Sequence, residues 1–228
     1  MKIKTVVFNI DDTLYDASLQ MSNARLNAVR AMIEAGLPVD LENGYRVLNQ
    51  VVEENGKYYN HHFDELLKKL GLKWNPRVIA AGVVAYRETN LAFLRPFPDT
   101  IPTLLKLRES GYELGVVSGG LAVKEAQKLI QLGIHHFFEH VVISEEFGSK
   151  SITSNMFKVC LEKFSAKPSE VVFVGNEIQD IFSANEESVV SVRLRKGESR
   201  IREPKTNKEK PKYEITKLSE VIDIIKKM

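Results

Sequence analysis

The stretch VVFNIDDTLYD, residues 6–16, decides how the rest of the chain is read. Its first half completes the β-branched, apolar run IKTVVFNI (3–10), the pattern of a strand buried on both faces. Its second half delivers Asn9, Asp11, Asp12 and Thr13 to the end of that strand, where the chain turns. Carboxylates, an amide and a hydroxyl gathered at a strand end mark a functional loop if other strands place comparable loops beside it. An Asn at a strand end is also a good turn former, so the neighbouring loops have to decide.

Downstream of this strand the period changes. From about Ser18 to Ala92 apolar residues recur at helical spacing in ARLNAVRAMIEAG, GYRVLNQVVEENG, HHFDELLKKLG and PRVIAAGVVAYRETNLAFL. In the third of these, Phe63, Leu66, Leu67 and Leu70 form one stripe. Consecutive helices without a strand predict a helical lobe inserted after the first strand. Pro96 and Pro98 then punctuate the chain, and strand and helix patterns alternate: YELGVVS, HVVIS, EVVFVG, VVSVRL and YEI read as strands. The last helix, LSEVIDIIKKM, starts at Ser219 with Val221, Ile222 and Ile225 as its apolar face. The prediction is an α/β protein: a Rossmann-like, doubly wound parallel sheet from residues 1–15 and 96–228, carrying an inserted α-helical cap from 16–95.

Composition narrows the function classes. The 228 residues include 32 Lys and Arg against 30 Asp and Glu, a net charge of +2, so no overall field draws the chain to nucleic acid or an anionic membrane. No apolar segment approaches the roughly 20 residues of a membrane span. The single cysteine, Cys160, excludes an internal disulfide, and MKIKTVVF lacks the pattern of a secretory signal, which predicts a cytoplasmic setting. The run RLRKGESRIREPKTNKEKPK (193–212) is basic but interspersed with Glu and without aromatics, which predicts a solvated excursion and makes nucleic acid an unlikely partner. His61-His62 and His135-His136 are adjacent pairs that do not share a helix or strand face, and no cysteine lies near them, so no transition metal is assigned.

Four loops follow buried strands: FNIDDTL; VVSGG with Ser118, Gly119 and Gly120; ISEEFGSKSITSNMF with Lys150; and FVGNEIQDIF with Asn176 and Asp180. A doubly wound sheet brings them to one rim, where a hydroxyl, glycine amides and a lysine can hold a phosphoryl group. As a set, in this order and over nearly the whole chain, they resemble the haloacid dehalogenase (HAD) superfamily of phosphatases, and in particular small archaeal phosphatase-like proteins with a helical cap. The resemblance implies a first loop of the form Asp-x-Asp-x-Thr, whose first Asp attacks phosphorus and whose second is general acid and then base. The corresponding residues are Asn9, Asp11 and Thr13. It also implies phosphate contacts from Ser118, Gly119 and Lys150, and a Mg²⁺ region at Asp11, Asn176 and Asp180.

Three departures accompany the resemblance. An amide stands where the attacking carboxylate is expected, and an amide oxygen is both a poor nucleophile and a poor Mg²⁺ ligand. Asn176 likewise replaces an Asp, so about two negative charges are missing from the metal region. Lys150 precedes Ser151 and Ile152, whereas the family lysine directly precedes a proline. The expectation is a phosphatase-like pseudoenzyme with impaired or lost phosphoester hydrolysis, weak or absent Mg²⁺, and a retained pocket for phosphate or a small phosphorylated metabolite. The competing readings are a slow Mg²⁺-dependent phosphatase acting on small phosphate esters, in which Asp11 or water replaces the nucleophile, and a non-catalytic interaction protein. Taken singly, Lys150 also reads as a solvated loop lysine, and Asn176 and Asp180 as helix caps.

Overall fold

Strand positions filled by Val, Phe and Leu are buried whichever way they point. Val6, Val7, Phe8, Leu114, Val116, Val117, Val172, Phe173 and Val174 all lie in the interior, as a sheet covered on both faces requires. A computed structural model describes residues 2–228. Six strands, β1 (Thr5–Phe8), β2 (Glu113–Ser118), β3 (His140–Ile143), β4 (Val171–Gly175), β5 (Val190–Leu194) and β6 (Tyr213–Ile215), form one parallel sheet in the order β3-β2-β1-β4-β5-β6. This is the doubly wound arrangement, in which the strand order reverses beside β1 and ligands bind beyond the carboxyl ends of the strands there. Phe8 is in register with Val116 of β2 and Val174 of β4, so the residues that follow all three strands emerge side by side.

Helices α5 (Thr100–Glu109), α6 (Ala122–Gln131), α7 (Ser154–Lys163), α8 (Ile178–Glu186) and α9 (Glu220–Lys226) complete this unit, which comprises the residues up to Ser18 with Leu94–Met228. One face of the sheet packs Val7, Val117 and Phe173 against Met156, Phe157, Cys160 and Ile181. Burial pushes the Cys160 thiol up to about 12, so this cysteine behaves as a core residue. Ser219 stands directly before α9, as expected, but its side chain is not what caps the helix. Ser219 makes no side-chain cap; the Glu220 carboxylate instead accepts the Thr216 and Lys217 backbone N–H groups, while Ser219 donates its own N–H to Asp99.

The basic run after β5 is paired with acidic side chains within it and on the neighbouring β6 and α8. Arg195 pairs with Glu203 at 2.8 Å and Glu214 at 3.0 Å, and Lys208 pairs with Glu186. Arg193 is fully buried and donates to the backbone carbonyls of Asn176, Ser199 and Arg202, which ties the start of the excursion to the loop after β4.

The second unit, Leu19–Phe93, holds most of α1 (Ala17–Glu34) with α2 (Leu41–Asn55), α3 (His62–Lys69) and α4 (Pro76–Phe93). Its interior is built from Val29, Met32, Leu48, Leu66, Leu67 and Val78, with Phe63 and Leu70 packed at the edge. Asp40 accepts the Asn43 N–H at 2.8 Å and caps α2. His62 Nε2 is 2.9 Å from the Gly56 carbonyl, just beyond the end of α2.

Two predictions follow from this packing. A Cβ on Gly115 of β2 would sit 2.7 Å from the Phe164 ring, so Gly115→Ala overpacks the core and lowers stability by about 1–3 kcal/mol, read by urea unfolding. Burial, with a smaller contribution from Arg25, lowers the His62 pKa below its usual 6.5. The folded state then holds that proton less tightly than the unfolded chain, so the contribution is present above pH 6.5 and is lost as pH falls through the folded value. In His62→Gln, which keeps a donor for Gly56, the unfolding midpoint loses this component of its acid dependence.

Candidate active site

The rim is assembled by register. Asn9 follows β1, Ser118 ends β2, and Asn176 follows β4. Asn9 is buried, and its orientation is set by a donor that cannot change role: the Ile10 backbone N–H reaches Asn9 Oδ1 at 2.7 Å, joined by Ser118 Oγ at 3.1 Å. The amide nitrogen must therefore face the other way, and Nδ2 donates to Asp180 Oδ2 at 3.1 Å and Asn176 Oδ1 at 3.4 Å.

Asn176 is fixed by the same kind of reasoning. Ser199 Oγ has one proton, which it gives to the Asn176 carbonyl at 3.2 Å, so it accepts from Asn176 Nδ2, also at 3.2 Å. Asn176 Oδ1 is thereby turned toward Asn9. Neither Asn176 nor Asp180 is a simple helix cap: Glu177 occupies the cap position of α8 without a side-chain bond, and Asp180 lies in the first turn.

Oxygen ligands are what Mg²⁺ takes, in near-octahedral order. Here the three side chains after β1 and β4 offer one carboxylate and two amides, and Asn9 presents N–H to the other two. Among the described residues, no group of three or more His, Cys, Asp or Glu is placed to hold a metal ion. The set as oriented does not fit Mg²⁺.

On the other side of Asn9 lies a charged cluster. Asp11 Oδ1 accepts from Tyr15 Oη at 2.9 Å and from Lys128 Nζ at 2.5 Å. Lys128 also donates to Glu125 Oε1 at 2.8 Å, and Glu125 Oε2 accepts from Ser118 Oγ at 3.1 Å. Glu125 is 0% exposed, whereas the side chains of Lys128 and Asp11 are 20% and 22% exposed. Burial pulls the Lys128 pKa down, but the charges of Asp11 and Glu125 outweigh it and hold the ammonium above its ordinary value. Burial, reinforced by Asp11, raises the Tyr15 phenol, which stays protonated as the donor.

Asp12 adopts a left-handed backbone with φ 53°. Burial raises its pKa against the opposing bonds from the Ser18 N–H at 2.8 Å and Oγ at 2.6 Å. A Cβ on Gly197, itself at φ +63°, would lie 2.1 Å from Asp12 Oδ2, so only glycine lets the excursion after β5 pass this carboxylate. The Thr13 hydroxyl is buried and has no hydrogen-bond partner among the described residues.

The second and third loops meet through backbone. A Cβ on Gly119 would stand 3.2 Å from Ser151 Cα and 3.5 Å from the Lys150 carbonyl oxygen, while Lys150 itself is exposed. The Gly120 N–H is taken by Ser144 Oγ at 2.9 Å. Thus Asn9, Ser118, Asn176 and Asp180 are brought together, Asp11 is turned to Lys128, and the Lys150 carbonyl lies near Gly119. Lys128 is a cation of this cluster that the motifs do not indicate. Its signal was present in LAVKEAQKLIQLG: Glu125 shares the buried stripe of Leu129, and Lys128 stands one turn along from it. The open groove of about 430 Å³ beside β6 lies elsewhere, and its Arg195 is already paired.

The family model for haloacid dehalogenase-like hydrolases matches residues 6–193. The chain belongs to that family. A glyceraldehyde 3-phosphate phosphatase of Methanopyrus kandleri is 47% identical over 99% of this chain and 98% of its own length. One of Methanocaldococcus jannaschii is 40% identical over 99% and 98%. Among solved structures, a protein from Bacillus subtilis described as a HAD-hydrolase bound to magnesium aligns over 99% of both chains with TM-score 0.69 at 20% identity, a likeness of fold.

Lys128→Ala leaves Glu125 buried without its ammonium, and loss of one partner of such a pair costs about 3–5 kcal/mol. Glu125→Gln combined with Lys128→Met restores most of that loss in urea unfolding.

Proposed function

We propose that this HAD-family chain binds a small phosphorylated metabolite while its phosphoester hydrolysis by the family route is impaired or lost, with weak or absent Mg²⁺. The observation that carries this reading is the orientation of Asn9. Its Oδ1 is engaged by the Ile10 N–H and its Nδ2 faces Asp180 and Asn176, so no carboxylate oxygen is offered to phosphorus or to a metal at that position. Asp11 adds to it. Its contacts with Tyr15 and Lys128 favour the ionised carboxylate over the protonated acid that the family route requires.

Recognition of an anion fits the remaining parts. Ser118 supplies a hydroxyl, and Lys128 supplies a partly exposed ammonium on the open side of the cluster. The names of the archaeal relatives make a three-carbon phosphate such as glyceraldehyde 3-phosphate the first ligand to test. In this reading residues 16–95 serve as the cap and the setting is cytoplasmic; Cys160 is buried, and among the described residues no helix is long and apolar enough to cross a membrane.

Phosphate release from glyceraldehyde 3-phosphate, with and without Mg²⁺, tests the proposal. Turnover is expected at least about 10³-fold below that of the Methanopyrus relative assayed in parallel. Inorganic phosphate is expected to bind in calorimetry with an affinity that added Mg²⁺ does not change. Brisk Mg²⁺-dependent release through a phosphorylated residue 9 would show the reading to be wrong.

A further inference from the structure

Residue 9 has no nucleophilic oxygen, but the side chain beside it does. Ser118 Oγ has one proton and two acceptors at equal distance, Asn9 Oδ1 and Glu125 Oε2, each 3.1 Å away. Glu125 is held in turn by Lys128, whose Nζ donates to its other oxygen at 2.8 Å. A hydroxyl in reach of a carboxylate, with the carboxylate oriented by a third group, is the geometry of an activated nucleophile. Protein kinases use a carboxylate in this way to accept the proton of an attacking hydroxyl during phosphoryl transfer.

We propose that Ser118 is a phosphoryl acceptor: its Oγ attacks the phosphorus of a small phosphate donor, Glu125 takes the proton, and a phosphoserine results. This rests on the reading above that a small phosphate compound enters the site. In the step, the bond from phosphorus to Ser118 Oγ forms as the bond from phosphorus to the leaving oxygen breaks. The proton passes from Ser118 Oγ to Glu125 Oε2, and the leaving group departs with the electron pair. With acetyl phosphate it departs as acetate, so no proton is required from Asp11.

With an amide at residue 9, Glu125 is the anionic acceptor on Ser118 Oγ, and Lys128 offsets its charge. Lys128 supplies positive charge on the partly exposed side. The product is a phosphate ester of an alcohol, and phosphate monoesters are among the slowest of all linkages to hydrolyse unaided. The chain therefore accumulates one phosphoryl group and stops, in keeping with impaired turnover.

The test incubates the full chain with acetyl phosphate and follows intact mass and peptide maps, with phosphate binding measured in parallel by calorimetry. One phosphoryl group per chain is expected, located on Ser118, absent from Ser118→Ala and from the urea-unfolded chain, and formed at least about 100-fold more slowly in Glu125→Gln. Because Glu125 is buried, far-ultraviolet circular dichroism of that variant establishes that it is folded. If it is not, loss of labelling in Ser118→Ala with its recovery at position 118 in Ser118→Thr supports the acceptor role. Phosphate binding without labelling, or labelling at another residue, overturns this proposal and leaves the ligand reading standing. Neither binding nor labelling overturns the ligand reading itself. A rate unchanged in folded Glu125→Gln removes Glu125 as the base.

Discussion

The hydrogen bond from the Ile10 backbone N–H to Asn9 Oδ1, 2.7 Å long, sets the chemistry of the rim. A backbone N–H donates and never accepts, so the amide of Asn9 has one allowed orientation. Everything around it follows in sequence. Nδ2 must find acceptors, and Asp180 and Asn176 provide them; Asn176 can present its oxygen because Ser199 holds its nitrogen. A carboxylate at residue 9 would offer acceptors on both sides, and Asp180 would then face like charge unless a cation stood between them. The amide instead donates to both Asp180 and Asn176.

The second organising feature is the ion cluster of Asp11, Lys128 and Glu125. Charges this far inside are stable only while paired, and the attraction offsets their desolvation only with good geometry. Lys128 meets that condition by spanning two carboxylates at 2.5 and 2.8 Å, and Glu125 passes the chain of contacts on to Ser118. The cluster thus links the loop after β1 to the first two turns of α6. It also places the Glu125 carboxylate beside the Ser118 hydroxyl.

Legibility differed by element, for physical reasons. The six strands could be read because each is a short, nearly continuous apolar run, and their parallel pairing follows from the helices between them. Ser118, Asn176 and Asp180 could be placed at the rim because strand ends are positions in the sequence. Lys150 could not be judged that way. Its loop follows β3 and brings the backbone of Lys150 to Ile152 against Gly119, while the lysine itself is exposed. Lys128 was missed for the converse reason: it lies on a helix rather than in a strand-end loop, and only the folded chain carries it back to Asp11. Arg193 and Ser199 were likewise invisible, because nothing in RLRKGES says that a buried guanidinium will reach the carbonyl of Asn176.

By itself the sequence determined the alternation of strands and helices, the helical insertion after β1, the family, and the amide in place of a carboxylate at residue 9. These are properties of composition and local order, which hydrophobic periodicity and residue identity record directly. Tertiary structure alone decided that Lys128 joins Asp11 and Glu125, which way two amides point, and which carboxylate stands beside the Ser118 hydroxyl. Those outcomes depend on contacts between residues as far apart in the chain as Lys128 and Asp11, or Ser199 and Asn176, and on whether a neighbouring backbone group donates or accepts. Local pattern carries no record of either.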